Sequence, residues 1–262
     1  MLFGLYFDVN GLLVAAAIGF ARVAPVFFML PFFNNNILMG MGRNSVIMLV
    51  ALGLWPYSIG QVPTFQALPF IALIAREAMI GVLLGCLLGW PFWVMHAVGS
   101  IIDNQRGATL SSSIDPANGI DTSEMANLFN LFAAVVYLYG GGMTLVLNIF
   151  QQSYLLCAPL GTCMPAMTPL LGVITKVMSQ SLVVTSPIIA ALLLSEVVLG
   201  LLSRFAPQMN AFAVSLTVKS GVAFFIMLLY FSPVLPERVM QMAVQPSGLS
   251  GWLQEAVRGD GK

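Results

Sequence analysis

Few side chains in this sequence could do chemistry, and several of them sit inside apolar runs. Arg22, Glu77, Glu196, Arg204 and Lys219 each interrupt or border a stretch otherwise free of charge. A charge at the centre of an apolar helix costs about 2.5–3.5 kcal/mol on insertion scales, so it needs a partner or a task. One reading is an ion or proton relay. The other is a set of structural or subunit-contact pairs, such as Glu196 with Lys219 or with Arg204. Relays usually carry more carboxylates and histidines than this, so the structural reading is favoured. His96, the one histidine, lies between Trp93 and Gly99 on an apolar helix and reads as a satisfied structural residue rather than a proton switch.

Other chemistries find no footing. There is no GxSxG, HExxH or Walker loop, and no Cys/His spacing suited to a metal. The sequence therefore implies no catalytic residue, no cofactor and no enzyme. Cys157 and Cys163 lie in a Pro-rich turn and could pair if it faces an oxidising compartment, although two unpaired small residues is the preferred reading.

The elements that must position these groups are helices in an apolar medium. The 262 residues are 59% hydrophobic and 8% charged, and a soluble fold could not hide that much apolar surface. Ten basic and ten acidic residues cancel, which leaves no basic field for nucleic acid. A spanning helix needs about 20 apolar residues. Candidate helices run over about 11–33, bent or ended by Pro25 and Pro31, and about 41–58. Another starts near Pro69 and joins the charge-free stretch 78–102, with a kink expected at Pro91. Gly81, Gly85 and Gly89 form two overlapping GxxxG repeats, which let another backbone approach closely. Residues 125–175 carry no charge, and Gly140-Gly141-Gly142 weakens the middle of that run. Further helices are expected over about 170–203, 209–232 and 235–257. Between the long segments lies a polar interval, Asp103 to Glu124, rich in turn formers. Asp121-Thr122-Ser123-Glu124 offers N-caps for the next helix. Arg238, Arg258 and Lys262 place the C-terminus on the cytoplasmic side. The N-terminus shows no cleavable signal pattern. The expectation is a single integral membrane domain, 1–262, of the all-α class, built of long kinked helices and hairpins.

Two stretches go beyond generic membrane sequence. One is Asp103-Asn104-Gln105-Arg106-Gly107, preceded by Gly99 and followed by Asp115-Pro116 and Gly119. The other runs from Glu196 through Gly200, Arg204, Pro207, Gln208 and Asn210, and is followed by Lys219. Together they resemble the FliR/SctT family of type III secretion export proteins, the virulence branch more than the flagellar one. The resemblance covers nearly the whole chain, from Arg22 to about Pro236.

It implies a core subunit of an export gate in the bacterial inner membrane, part of it on the periplasmic side. The implied partners are SctR-type and SctS-type subunits, an SctU-type switch protein, and unfolded secreted proteins in transit. It also implies a plug in the interval 106–122, comprising Arg106, Gly107, Ser111, Ser112, Ser113, Asp115, Pro116, Asn118 and Gly119. Arg22, Glu77, Asp103, Gln105, Glu196, Arg204, Gln208, Asn210 and Lys219 are expected as structural or subunit-contact polar groups. A small-solute transporter or channel is the alternative; interrupted helices would suit it, but two related halves are not evident. An intramembrane enzyme would need a nucleophile–base pair or a carboxylate dyad that the sequence does not offer.

Overall fold

The computed structural model describes residues 2–33, 40–57, 67–107, 123–161, 163, 168–205 and 211–243, and all regular structure among them is helical. Helix α1 spans Leu2–Met29, followed by a 3-10 turn at Pro31–Phe33. Helix α2 is Gly40–Gly53, and α3 is Ala67–Arg106. Helices α4 and α5 are Glu124–Tyr139 and Gly142–Leu156. Helices α6 and α7 are Thr168–Phe205 and Ala211–Met242. The 40 residues of α3 extend about 60 Å, twice the hydrocarbon thickness.

Local signals account for most of these boundaries. Ser123 caps α4, its Oγ accepting the Ala126 N–H at 3.1 Å. The glycine triplet separates α4 from α5, and Gly141 carries φ 82°, a conformation that favours glycine. Prolines were weaker punctuation than the sequence suggests, since α1 passes through Pro25, α3 through Pro91 and α7 through Pro233 and Pro236. The separate helix expected over 235–257 is therefore not formed as such. Residues up to Met242 continue α7, and 244–262 lie outside the described residues. Packing explains the continuity. Phe231 meets Phe129 of α4 edge to face at 5.6 Å and Phe132 at a tilt at 4.0 Å, while Leu235 and Val239 are buried. That burial offsets the lost backbone hydrogen bonds.

The described residues form two compact units. The first takes them from 1–90, 141–174 and position 243, and the second from 91–140 and 175–242. In the first, α1 packs on α2, Gly19 facing Ala51, and on the leading part of α3. Its core includes Ile18, Val23, Phe27, Ile47, Ile80, Leu83 and Leu84. A Cβ on Gly81 would overlap the Arg22 carbonyl, and one on Gly85 the Met29 thioether. The GxxxG face of α3 thus receives the chain's own α1. In the second unit Gly99 lets α3 approach the backbone of Met125 and Ala126, and Phe92 meets Tyr137 edge to face at 5.3 Å.

Among the described residues four helices are long and apolar enough to cross a membrane, and the broken pair α4–α5 would make a fifth. This is an all-α membrane protein. Its apolar helices are unequally covered. The most apolar windows of α1 and α3 are 56% and 50% buried, against 22% in α6 and 6% in α7.

Candidate functional site

The first unit holds a charge cluster with no water-exposed member except part of Arg76. Arg22 enters from α1 and is fully buried. Its Nε donates to Glu77 Oε2 at 2.6 Å, Nη1 to Ser153 Oγ at 3.4 Å and Nη2 to the Cys157 carbonyl at 2.8 Å. The guanidinium also lies 4.3 Å over the Tyr154 ring. Arg76, one residue before Glu77 on α3, donates through Nη2 to Glu77 Oε1 at 3.0 Å. Its other donations go to the carbonyls of Pro159 and Gly161. Glu77 is itself fully buried, so both its oxygens are taken by guanidinium groups. Charge-assisted bonds of this kind are what make a buried ion tolerable. Cys157 and Cys163 are joined by a disulfide with Cα atoms 5.6 Å apart, which corrects the preference for unpaired thiols. The same turn presents its carbonyls to Arg22 and Arg76.

The second unit carries the base of the polar interval. Asp103 is 2% exposed and sits one turn before the end of α3. One of its oxygens accepts from Arg106, through Nε at 2.7 Å and Nη2 at 2.6 Å. The other accepts from Ser123 Oγ at 2.5 Å and from the Met125 N–H at 3.1 Å. The chain therefore leaves α3 at Arg106 and resumes at Ser123 with both positions held on one carboxylate. Gly107 begins the departure with φ 80°. The Arg106 guanidinium also lies 5.5 Å over the Phe224 ring of α7. Ser111, Ser112, Ser113, Asp115, Pro116, Asn118 and Gly119 lie outside the described residues.

Lys219 Nζ reaches Glu196 Oε1 at 2.7 Å, joining α7 to α6. Of the two partners offered for Glu196, the structure supplies Lys219. The pair is not buried in the chain, because the Glu196 side chain is 55% exposed. Arg204 and Gln105 are exposed, and Gln208 and Asn210 lie outside the described residues. His96 occupies an exposed position on α3. Sequence reasoning missed Ser153, Tyr154 and the turn carbonyls as partners of the arginines. Only the proximity of Arg76 to Glu77 was a signal, and it did not point to Arg22, 55 positions away.

Residues 13–244 match the family described as "Bacterial export proteins, family 1". The chain belongs to this family. Among relatives of this export-protein chain, "Surface presentation of antigens protein SpaR" of Salmonella typhimurium (strain LT2) is 60% identical over 255 residues, covering 97% of each chain. "Yop proteins translocation protein T" of Yersinia pestis is 27% identical over 238 residues, or 87% of this chain and 90% of the relative. "Flagellar biosynthetic protein FliR" of Pectobacterium carotovorum is 25% identical over 227 residues, or 84% and 86%. The FliR/SctT resemblance read from the two motifs is thereby established over nearly the full length, on the virulence side.

Proposed function

We propose that this chain forms part of the wall and the closure of an export conduit in the bacterial inner membrane, with the interval 106–122 as the closing element. As a family member it is a subunit of the type III secretion export apparatus and associates with other components of that apparatus. The specific companions we assign are SctR-type and SctS-type subunits, with an SctU-type protein at the base, and the cargo is unfolded protein in transit.

The observation that carries the closure is the Asp103 carboxylate. Arg106 and Ser123, which border the polar, turn-rich stretch of sequence, are both held on it. Non-helical polar backbone between spanning helices is tolerated where it lines a cavity or is buried in protein. A gate that must move for each substrate needs a closing element that opens at low free energy.

Deleting 111–118 tests the assignment. The Asp103 base remains, so assembly is expected to persist. Cells producing the complete gate should then take up a small impermeant dye or show raised membrane conductance. An assembled deletion complex as tight as the parent removes the closing role from this interval.

A further inference from the structure

The first-unit cluster contains two guanidinium groups and one carboxylate, so one positive charge is left over among packed helices. A buried cation without compensation is costly. The carbonyl acceptors on the surplus side come from one short turn after α5. The carbonyls of Cys157, Pro159 and Gly161 all face the two arginines. Three residues separate the first of these carbonyls from the last, and the stretch runs past the C-cap of α5 without helical structure of its own. The covalent restraint on it is the bond from Cys157 to Cys163, which closes the turn around the two outer acceptors. Cys157 serves twice, as a bonded sulfur and as the carbonyl on Arg22.

We propose that the Cys157–Cys163 disulfide is formed on the oxidising side of the membrane by a thiol–disulfide oxidase, and that it clamps a carbonyl cage over Arg22 and Arg76. Disulfides persist in the periplasm and are rare in the cytosol, so the end of α5 and the start of α6 face the periplasm. The chemistry is an exchange. A thiolate of one cysteine attacks the oxidase cystine and forms a mixed disulfide. The second cysteine, as thiolate, then displaces the oxidase thiolate. The chain's two thiols lose two electrons and two protons, and the oxidase cystine becomes two thiols. Cys86, buried in α3, takes no part and stays a free thiol. The inference is independent of the closing role of 106–122, since its residues all belong to the first unit.

The test uses the assembled gate in bacterial membranes. Thiols are trapped by acid, the chain is denatured, and free thiols are labelled with a heavy maleimide. With three cysteines in the chain, one label is expected before reduction and three after it. Cells lacking the periplasmic thiol oxidase should give three labels without reduction. Three labels from unreduced wild-type membranes overturn the proposal. The clamp is tested separately by Cys157→Ser with Cys163→Ser, expected to raise protease cleavage of the embedded chain by about tenfold. Adding Arg76→Ala to that variant should cause little further loss, because the cage is already open; full additivity of the two overturns the coupling. Where the serine variant fails to accumulate, wild-type membranes treated with a reductant replace it. Cleavage should then rise on reduction and fall on reoxidation, and no change on reduction overturns the clamp.

Discussion

At the residue scale, the molecule keeps its charges by crowding acceptors around them. Glu77 is the single anion between two arginines, so its loss leaves two guanidinium groups facing each other in a low-dielectric site. Glu77→Ala is expected to cost about 3–5 kcal/mol, the range for removing one partner of a buried pair. The measurement is the thermal midpoint of the purified complex, or its recovery where the variant does not survive extraction. Glu77→Gln keeps an acceptor oxygen and nearly the same volume, so it should fall between wild type and Ala. Equal behaviour of Gln and wild type would mean that the carboxylate charge is not what holds Arg22. Arg22 and Glu77 were both recognisable in the sequence as expensive groups in need of partners. Their pairing was not, because a contact across 55 positions leaves no periodic trace, and the carbonyls that complete the site are the same atoms in every residue. Glu196 and Lys219 were legible as one of two offered pairs because both lie in one motif-bearing stretch of sequence.

At the element scale, Asp103 ties two helix ends together. It joins the last turn of α3 to the first turn of α4 through four donors on three residues. Asp103→Asn retains one acceptor and adds a donor that Arg106 cannot use. The expected result is a gate that assembles but leaks, with dye uptake between that of the parent and that of the 111–118 deletion. A tight Asp103→Asn gate would separate the base from the closure. The helix ends at this point were readable: Ser123 was a foreseeable cap, and the glycine triplet a foreseeable break. The interior prolines were not, because whether a proline ends a helix depends on what packs on the following turn, as Phe231 and Leu235 do here. The GxxxG repeat announced close approach without naming the approaching helix. Since that helix is α1, Gly81→Leu should push α1 off α3 and draw Arg22 away from Glu77. The expected loss is about 1–3 kcal/mol from overpacking alone, read as protease resistance of the first unit, and more once the ion pair is disturbed.

At the scale of the whole molecule, coverage is uneven, with the apolar windows of α6 and α7 the least buried. Helices α6 and α7 present Leu194, Val197, Val198, Leu201, Phe225 and Leu228 outward, with an ion pair of half-exposed Glu196 among them. Lipid would cover the apolar groups but would leave a carboxylate oxygen in hydrocarbon, which is costly. A protein neighbour can supply a donor. Three glycines on the same two helices, Gly172, Gly200 and Gly221, have open space around the position of a Cβ. Each costs about 1 kcal/mol of helix propensity relative to Ala, and the chain alone gains no close packing from them. Small residues in membrane helices allow a neighbouring backbone to approach closely, so a substitution here tests whether a companion subunit packs on this face. Gly200→Leu separates the two environments. Within the chain a Cβ at this position meets nothing within 4 Å, so insertion and steady-state level should be unchanged or slightly raised. Within the apparatus it should collide with the neighbouring helix, and the companion subunits recovered with the tagged chain should fall several-fold. Full recovery of the companions with Gly200→Leu would place lipid, rather than protein, against this part of α6.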